Sequence, residues 1–531
     1  ASESFTPTWR SIKLTAIMPT TLLLLLCSAA CAQDFDLVLR GGTVVDGSGK
    51  PGFVGDVAIK GDRIVAVGKV VGTAKRTVDA AGMVVCPGFI DVHTHCDRGI
   101  LEKDLRGNVN YLAQGVTTVV TGNCGFGHVD AAEFFRKLST NGVGTNVAHQ
   151  VPHGSVREAV MGIAERAPTA DELAKMKALV RQAMKDGAVG LASGLFYTPG
   201  SYAETSELIE LAKVVAEFDG VYASHIRSEG GSGLVRAILE AIEIGEKGGV
   251  PVQISHIKCS GVAVWGMAGE PCKLIEAARA RGLDVTADQY PYAASSTGMV
   301  AAFLGGVGER GKALKARLDD PADRVKLLDI ATKSNTNRGG DERTVIARFV
   351  ERPDWEGKNL KEIAAELKVS AGEAVLKMLE IGSPQIVSFN MRDDDVEHFM
   401  KQPWVFTCSD GGTVRLGDAR PHPRSYGTYP RKLRVYVYDK KLITLETAIR
   451  SMTDLPARKF RLADRGSLRA GAFADVVMFD PKTVADAATY IDPHRYAVGI
   501  PLVIVNGKPA IDAGKFTDTF AGLPLKPQGK R

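Results

Sequence analysis

Gly82-Met-Val-Val-Cys-Pro-Gly-Phe-Ile-Asp-Val-His93-Thr-His95 is an apolar run that closes on two histidines one residue apart. Its valines, isoleucine and phenylalanine, with no charge before Asp91, predict a buried strand over residues 84–95. An extended strand turns alternate side chains to one face, so His93 and His95 project together and seed a metal site. A lone His-x-His pair also serves as ordinary hydrogen-bonding imidazoles at a strand end. The following chain decides between the two.

Downstream, apolar strand candidates alternate with helical stretches, the pattern of parallel βα units. In order they cover residues 84–95, 116–124, 145–151, 188–193, 221–225, 252–256, 284–287 and 404–410. Eight parallel strands with helices between them predict an α/β fold, a TIM-like (β/α)8 barrel over residues 87–461, with its chemistry at the C-terminal mouth. The rhythm breaks over residues 300–385, where charged amphipathic helices at 311–333 and 359–380 flank Thr344-Val-Ile-Ala-Arg-Phe-Val. That predicts an α-rich insertion after the seventh strand, set near the mouth as a lid or substrate wall. The helix pair within 360–379 carries as many acids as bases, which argues against a helix-turn-helix reader of nucleic acid.

On either side of the barrel the pattern changes. Residues 35–86 hold short alternating runs punctuated by Gly41-Gly42, Gly47, Gly49 and Gly61-Asp62, which is strand-and-turn grammar. The same grammar resumes over residues 462–520, in Gly466-Ser-Leu-Arg-Ala-Gly-Ala-Phe-Ala-Asp-Val-Val-Met-Phe-Asp and Pro501-Leu-Val-Ile-Val-Asn-Gly. Both chain ends are therefore expected to complete one small β-sandwich domain.

Among the 531 residues, 66 basic side chains face 61 acidic ones, a formal net charge of +5. So near a balance gives no electrostatic case for nucleic acid or an anionic membrane as partner. Residues 1–32 differ in kind: Arg10 and Lys13 precede five leucines at 22–26 and the small residues Ser28-Ala-Ala-Cys-Ala32. This reads as a signal peptide with an Ala30-x-Ala32 cleavage site, and Cys31 offers a lipid anchor. The expectation is a periplasmic or secreted protein, soluble or lipid-anchored, without a transmembrane span. Beyond the signal stand Cys86, Cys96, Cys124, Cys259, Cys272 and Cys408, with no CxxC spacing among them.

With the eight strands in register, the mouth collects His93 and His95 from the first, Cys124 from the second, His225 from the fifth, His256 from the sixth and Asp410 from the eighth. Each alone has an ordinary structural role to play. Four imidazoles, one thiolate and one carboxylate together suit zinc, and six convergent ligands suffice for two ions. Convergence at strand ends of one barrel favours a metal site.

These residues sit in Pro87-Gly-Phe-Ile-Asp-Val-His-Thr-His, Thr117-Thr-Val-Val-Thr-Gly-Asn-Cys-Gly, Ser193-Gly-Leu-Phe-Tyr-Thr-Pro-Gly, Ser224-His-Ile-Arg-Ser-Glu, Ser255-His-Ile-Lys, Asp288-Gln-Tyr-Pro-Tyr and Ser409-Asp-Gly. Across nearly the whole mature chain the set resembles the amidohydrolase superfamily and, within it, the N-acyl-D-amino-acid deacylases (D-aminoacylases). The resemblance implies a tightly held zinc ion on Cys124, His225 and His256. It also implies a second, weaker site on His93, His95 and Asp410, and contacts from Lys258, Tyr290 and Ser296 to a substrate's α-carboxylate. Many superfamily members bridge two metals with a carbamylated lysine on the fourth strand, which Gly190-Leu-Ala-Ser-Gly does not supply.

The chemistry that follows is amide hydrolysis of a small molecule with a free α-carboxylate, Asp410 moving the proton from water to the departing amine. Arg227 and Glu229 share a face with His225 if the chain stays extended, or form a solvated ion pair on the loop. His153, near the third strand's end, either steadies a ligand from behind or is structural. Competing readings are a cyclic-amide hydrolase of the hydantoinase or dihydroorotase kind, and a metal-free binding protein on the same scaffold.

Overall fold

The computed structural model describes residues 35–305 and 312–527, with residues 1–4, 6 and 8. The leucine run at 22–26 and Cys31 lie outside the described residues. Eight parallel strands follow one another in sequence order around a single sheet. They are Phe89–Asp91, Val116–Thr121, Asn146–Pro152, Gly190–Gly194, Val221–His225, Val252–Ile254, Val285–Gln289 and Val405–Thr407. Every residue in them is buried, as a sheet covered on both faces requires. The crossover helices are amphipathic and capped. In Ala170–Asp186, Thr169 and Glu172 form a reciprocal capping box, left-handed Gly187 ends the helix, and Met176, Val180, Ala183 and Met184 form the face turned inward.

Among the described residues no ladder joins the first and eighth strands. The loops that follow them close the barrel instead: the Asp410 amide donates to the His93 carbonyl at 2.9 Å and the His95 amide to the Gly411 carbonyl at 2.7 Å. The buried Asp91 carboxylate adds to this seam, accepting from the Ser409 amide at 3.1 Å and the His93 amide at 3.2 Å.

The strand expected over 84–95 divides at Gly88. Val84–Pro87 pairs with Val476–Phe479 in another sheet, while Phe89–Asp91 opens the barrel. Pro87 has no amide to donate, the Gly88 amide turns to the Asp475 carbonyl at 2.8 Å, and a Cβ on Gly88 would drive into Thr117. His93 and His95 consequently stand in the loop past a short strand, and their aim is set by the seam rather than by strand alternation.

The two chain ends meet in one continuous nine-stranded sheet. Leu37, Leu39, Val57 and Ile59 from the front of the chain pack in one cluster with Val476, Met478 and Ile504 from the rear. The segment after the seventh barrel strand carries a three-stranded antiparallel sheet of Ser295–Gly298, Thr344–Arg348 and Gln385–Ser388, so it begins ahead of residue 300 and ends beyond 385. Around it lie helices Met299–Leu304, Pro321–Asn337, Leu360–Leu367 and Ala371–Ile381. They enclose a core of their own, with Phe303, Leu327, Phe349, Trp355, Ile363 and Leu376, separate from the barrel's.

A buried polar knot fastens the end sheet to the barrel at the start of the strands, away from the mouth. Asp475 is paired with Arg465 and accepts from Asn146 Nδ2 at 3.2 Å and the Asn506 amide at 2.9 Å, while Asn506 Nδ2 donates to Asn146 Oδ1 at 2.7 Å. Removing one member of a buried pair strands the other charge. Asp475→Ala is expected to destabilise the protein by roughly 3–5 kcal/mol, read as a lowered denaturant midpoint. A shift below about 1 kcal/mol, the range of surface pairs, would show that the knot does not fasten the sheet.

Candidate metal centre

Three of the residues at the mouth owe their aim to backbone in the left-handed region: Cys124 at φ 53°, His256 at φ 34° and Asp410 at φ 49°. Side-chain-bearing residues rarely take that conformation, and it persists where the surroundings fix it. Around Cys124, the Asn123 side chain donates to the Val120 carbonyl at 2.9 Å and accepts from Gln150 at 2.8 Å. The His256 amide is held by Asp288 Oδ1 at 2.7 Å, and Asp410 by the seam.

Cys124 Sγ lies 3.5 Å from His225 Nδ1, 3.6 Å from His256 Nε2 and 3.3 Å from His93 Nε2, all four residues buried. Zinc bonds of about 2.3 Å to sulfur and 2.0–2.1 Å to nitrogen at tetrahedral angles put the two donors about 3.6 Å apart. Both sulfur–nitrogen separations in the Cys124, His225 and His256 set therefore match those around a zinc ion, and all three donor atoms lie within 4.8 Å of one another. Its outer groups fit as well, since His256 Nδ1 stands 3.0 Å from Glu229 Oε1, the carboxylate partner that orients a ligating imidazole. The second expected set is looser: Asp410 Oδ1 is 3.6 Å from His93 Nε2 and 3.1 Å from His95 Nε2, and the His95 side chain is 39% exposed. His93, His256 and Asp410 form a further buried triplet of donors.

Electrostatics follow from burial. Desolvation pushes the His93 pKa well below its ordinary value and that of His225 down to about 3, so both rings are neutral, the form that ligates a cation. The same burial pushes the Cys124 thiol well above its ordinary value, so a thiolate there calls for a cation beside it. Burial also raises Asp410, but Arg424, His256 and His95 outweigh it and hold the carboxyl well below the usual range.

Of the other expected site residues, Glu229, Lys258, Tyr290 and Ser296 line the same cavity of about 1120 Å³ as His225, His256 and Asp410. Lys258 is not a free cation: its ammonium is paired with Glu229 and lies 2.8 Å from His256 Nδ1. Two residues are not brought to the centre. Arg227 turns to Glu240 at 2.8 Å and to the Ser201 and Ala203 carbonyls at 2.9 Å, because the chain leaves the extended path after His225. His153 is buried against Glu207 at 2.8 Å in a cluster with Arg157, a structural role.

Two groups at the centre escape a reading of the sequence. Arg424, buried, sits 2.8 Å from Asp410 Oδ2 and over the Tyr290 ring at 4.8 Å. Asp288 holds the His256 amide and lies 3.6 Å from His93 Nδ1. A carboxylate within the buried strand Val285–Gln289 was a signal for Asp288; nothing in the spacing marks Arg424.

Residues 76–511 match the family described as "Amidohydrolase family". The chain is 39% identical over 522 residues to a D-aminoacylase of Alcaligenes xylosoxydans xylosoxydans, covering 94% of this chain and 99% of that one. Among solved structures, a D-aminoacylase described by its binuclear metal centre, with one-metal activation and second-metal attenuation, superposes with a TM-score of 0.79 at 37% identity, over 93% of this chain and 100% of that one. The N-acyl-D-glutamate deacylase from Bordetella bronchiseptica, complexed with zinc and a phosphonate mimic of the tetrahedral intermediate, gives 0.81 at 34% identity with the same coverage.

The donor geometry sets an order of metal affinities. Cys124→Ala removes a ligand and is expected to leave the protein without zinc after dialysis. Glu229→Gln keeps all three ligands and is expected to weaken zinc roughly 10–100-fold in competition with a chelator, as loss of an outer-shell partner does. Retention of a full equivalent of zinc by Cys124→Ala would move the site elsewhere.

Proposed function

The chain belongs to the amidohydrolase family, and on that premise we propose that it is a zinc-dependent hydrolase of N-acyl-D-amino acids, or of dipeptides with a C-terminal D-residue. The products are a carboxylate and a free D-amino acid. The observation that carries the reading is the buried Cys124, His225 and His256 donor set at zinc-fitting separations, in a chain this similar to a D-aminoacylase.

Bound on those donors, zinc supplies Lewis acidity, polarising a carbonyl and lowering the pKa of water toward neutrality. The protein's own groups do the rest. Asp410 takes the proton from the attacking water and passes it to the departing amine, and Arg424 fixes the carboxylate at the mouth where it can reach both. His93, His95 and Asp410 offer the second, weaker metal site. Lys258, Tyr290 and Ser296 receive the substrate's α-carboxylate by charge-assisted hydrogen bonds, Lys258 being held in place by Glu229. Against a cyclic-amide hydrolase stands the fourth strand, Gly190–Gly194, which has no lysine to bridge two metals. Against a metal-free scaffold stands the complete donor set.

The same proposal puts the enzyme outside the cytoplasm, in the periplasm or secreted, on the strength of the signal pattern in residues 1–32: soluble if cleavage follows Ala30-x-Ala32, lipid-anchored if Cys31 is retained and modified. Among the described residues no helix is long and apolar enough to cross a membrane.

Asp410→Asn keeps the shape of the site but cannot shuttle a proton. Its turnover is expected to fall roughly 10²–10⁴-fold while zinc on Cys124 is retained; a loss of only a few-fold would assign the proton to another group. In a panel of N-acetyl amino acids the D isomers should be cleaved and the L isomers should not, and faster cleavage of L isomers would overturn the reading. Lys258→Met should cost roughly 2–5 kcal/mol in transition-state stabilisation for free acids and much less for their neutral amides or esters. Equal losses on both would remove Lys258 from carboxylate recognition.

A further inference from the structure

Six cations line the cavity: Arg98, Lys258, Arg338, Arg348, Arg415 and Arg424. Four of them are already compensated. Lys258 is paired with Glu229, Arg348 with Asp418 at 3.1 Å, Arg415 with Asp104 at 2.7 Å and Arg424 with Asp410 at 2.8 Å. Arg98 stands exposed at the rim, where water screens it. Arg338 is different: it is partly buried, and among the described residues no carboxylate is paired with it.

Arg338 caps the C-terminal end of helix Pro321–Asn337, in the wall contributed by the insertion. Its guanidinium is fixed on one edge only. Nε donates to the Ala302 carbonyl at 3.1 Å; with the Asn390 amide turned so that its oxygen meets the surrounding donors, Nη1 donates to that oxygen at 3.2 Å and Ser260 Oγ donates to it at 2.7 Å. Ser260 lies two residues past Lys258, so the contact ties Arg338 to the barrel loop beside the metal donors. The Phe303 ring lies against the guanidinium at 5.7 Å. Nη2 has no acceptor among the described residues, and Ser334 and Asn337 on the same helix line the cavity alongside. Burial lowers the Arg338 pKa to about 10, which still leaves it charged at neutral pH.

A guanidinium held on one side, lining a cavity and, among the described residues, ion-paired to no carboxylate, with Glu229 acting on it only from beyond pairing distance, is built to receive one. We propose that Arg338 is a specificity-determining residue that binds a second carboxylate of the substrate, beyond the α-carboxylate. The proposal rests on the deacylase reading and deepens it: the substrates this enzyme prefers are dianionic. The second carboxylate comes either from the side chain of the D-residue or from a dicarboxylic acyl group.

Two substrate pairs separate these sources. N-acetyl-D-glutamate against N-acetyl-D-glutamine tests the side chain; N-succinyl-D-leucine against N-acetyl-D-leucine tests the acyl group. In one pair the dicarboxylate is expected to lead in kcat/KM by roughly 10–100-fold, the scale of a hydrogen bond to a charged group. In Arg338→Met that lead disappears while the member carrying only the α-carboxylate keeps its rate to within about threefold, the scale of a surface change, and Arg338→Lys, which keeps the cation, restores part of it. Zinc content measured on each variant reports that the fold is intact. No lead in either pair, or an equal loss for both members in Arg338→Met, overturns the proposal while cleavage of N-acetyl-D-leucine keeps the deacylase reading standing. Absence of turnover on all four substrates by the zinc-loaded enzyme overturns both.

Discussion

The seam between the first and eighth barrel strands is the constraint on which this structure depends. Both strands are three residues long, Phe89–Asp91 and Val405–Thr407, and closure passes to the loops beyond them. The backbone bonds from Asp410 to His93 and from His95 to Gly411 join the ends of the barrel and, with the same atoms, set the positions of three candidate metal ligands. Asp91, buried beneath, satisfies amides from both sides of the seam. A barrel that failed to close would have no centre, since the groups that meet there arrive on different strands.

Around that seam, charge is arranged in compensated pairs. Lys258 with Glu229 and Asp410 with Arg424 are buried ion pairs, whose desolvation is costly unless the geometry is good and the remaining valences are met. Glu229 meets this by touching Lys258 and His256 at once, and Asp288 by holding the His256 amide beside His93. The pairs keep the side chains in place before any ligand arrives, which is the form of preorganisation that electrostatic catalysis requires.

Much of this was legible in the sequence because period and position carry it. Buried parallel strands read as apolar runs, and residues at their ends converge whatever lies between, so His93, Cys124, His225, His256 and Asp410 could be collected from spacing alone. What stayed hidden depends on local backbone or on distant chain. The break falls at Gly88, where Thr117 of a neighbouring strand approaches so closely that only a residue without a Cβ fits, and no pattern within residues 84–95 records that approach. Arg227 shares a face with His225 only where the chain stays extended, with an ion pair on the loop as the alternative, and the turn after Val221–His225 sends it to Glu240. Arg424 reaches Asp410 from beyond a loop whose course has no periodicity. The left-handed conformations at Cys124, His256 and Asp410 belong to residues that seldom adopt them, so sequence could not announce them.

The insertion closes on its own hydrophobic cluster, separate from that of the barrel, and it supplies one wall of the cavity while the barrel supplies the candidate metal donors. Drift in that wall can therefore be absorbed by a core that the ligand-bearing loops do not share. The two halves of the cavity are in this sense separately evolvable. Exchanging the segment between the seventh and eighth strands for that of a relative is a graft across two chain connections, one that leaves the hydrolytic apparatus in its native frame and offers a route to new selectivity by transplantation rather than by point mutation.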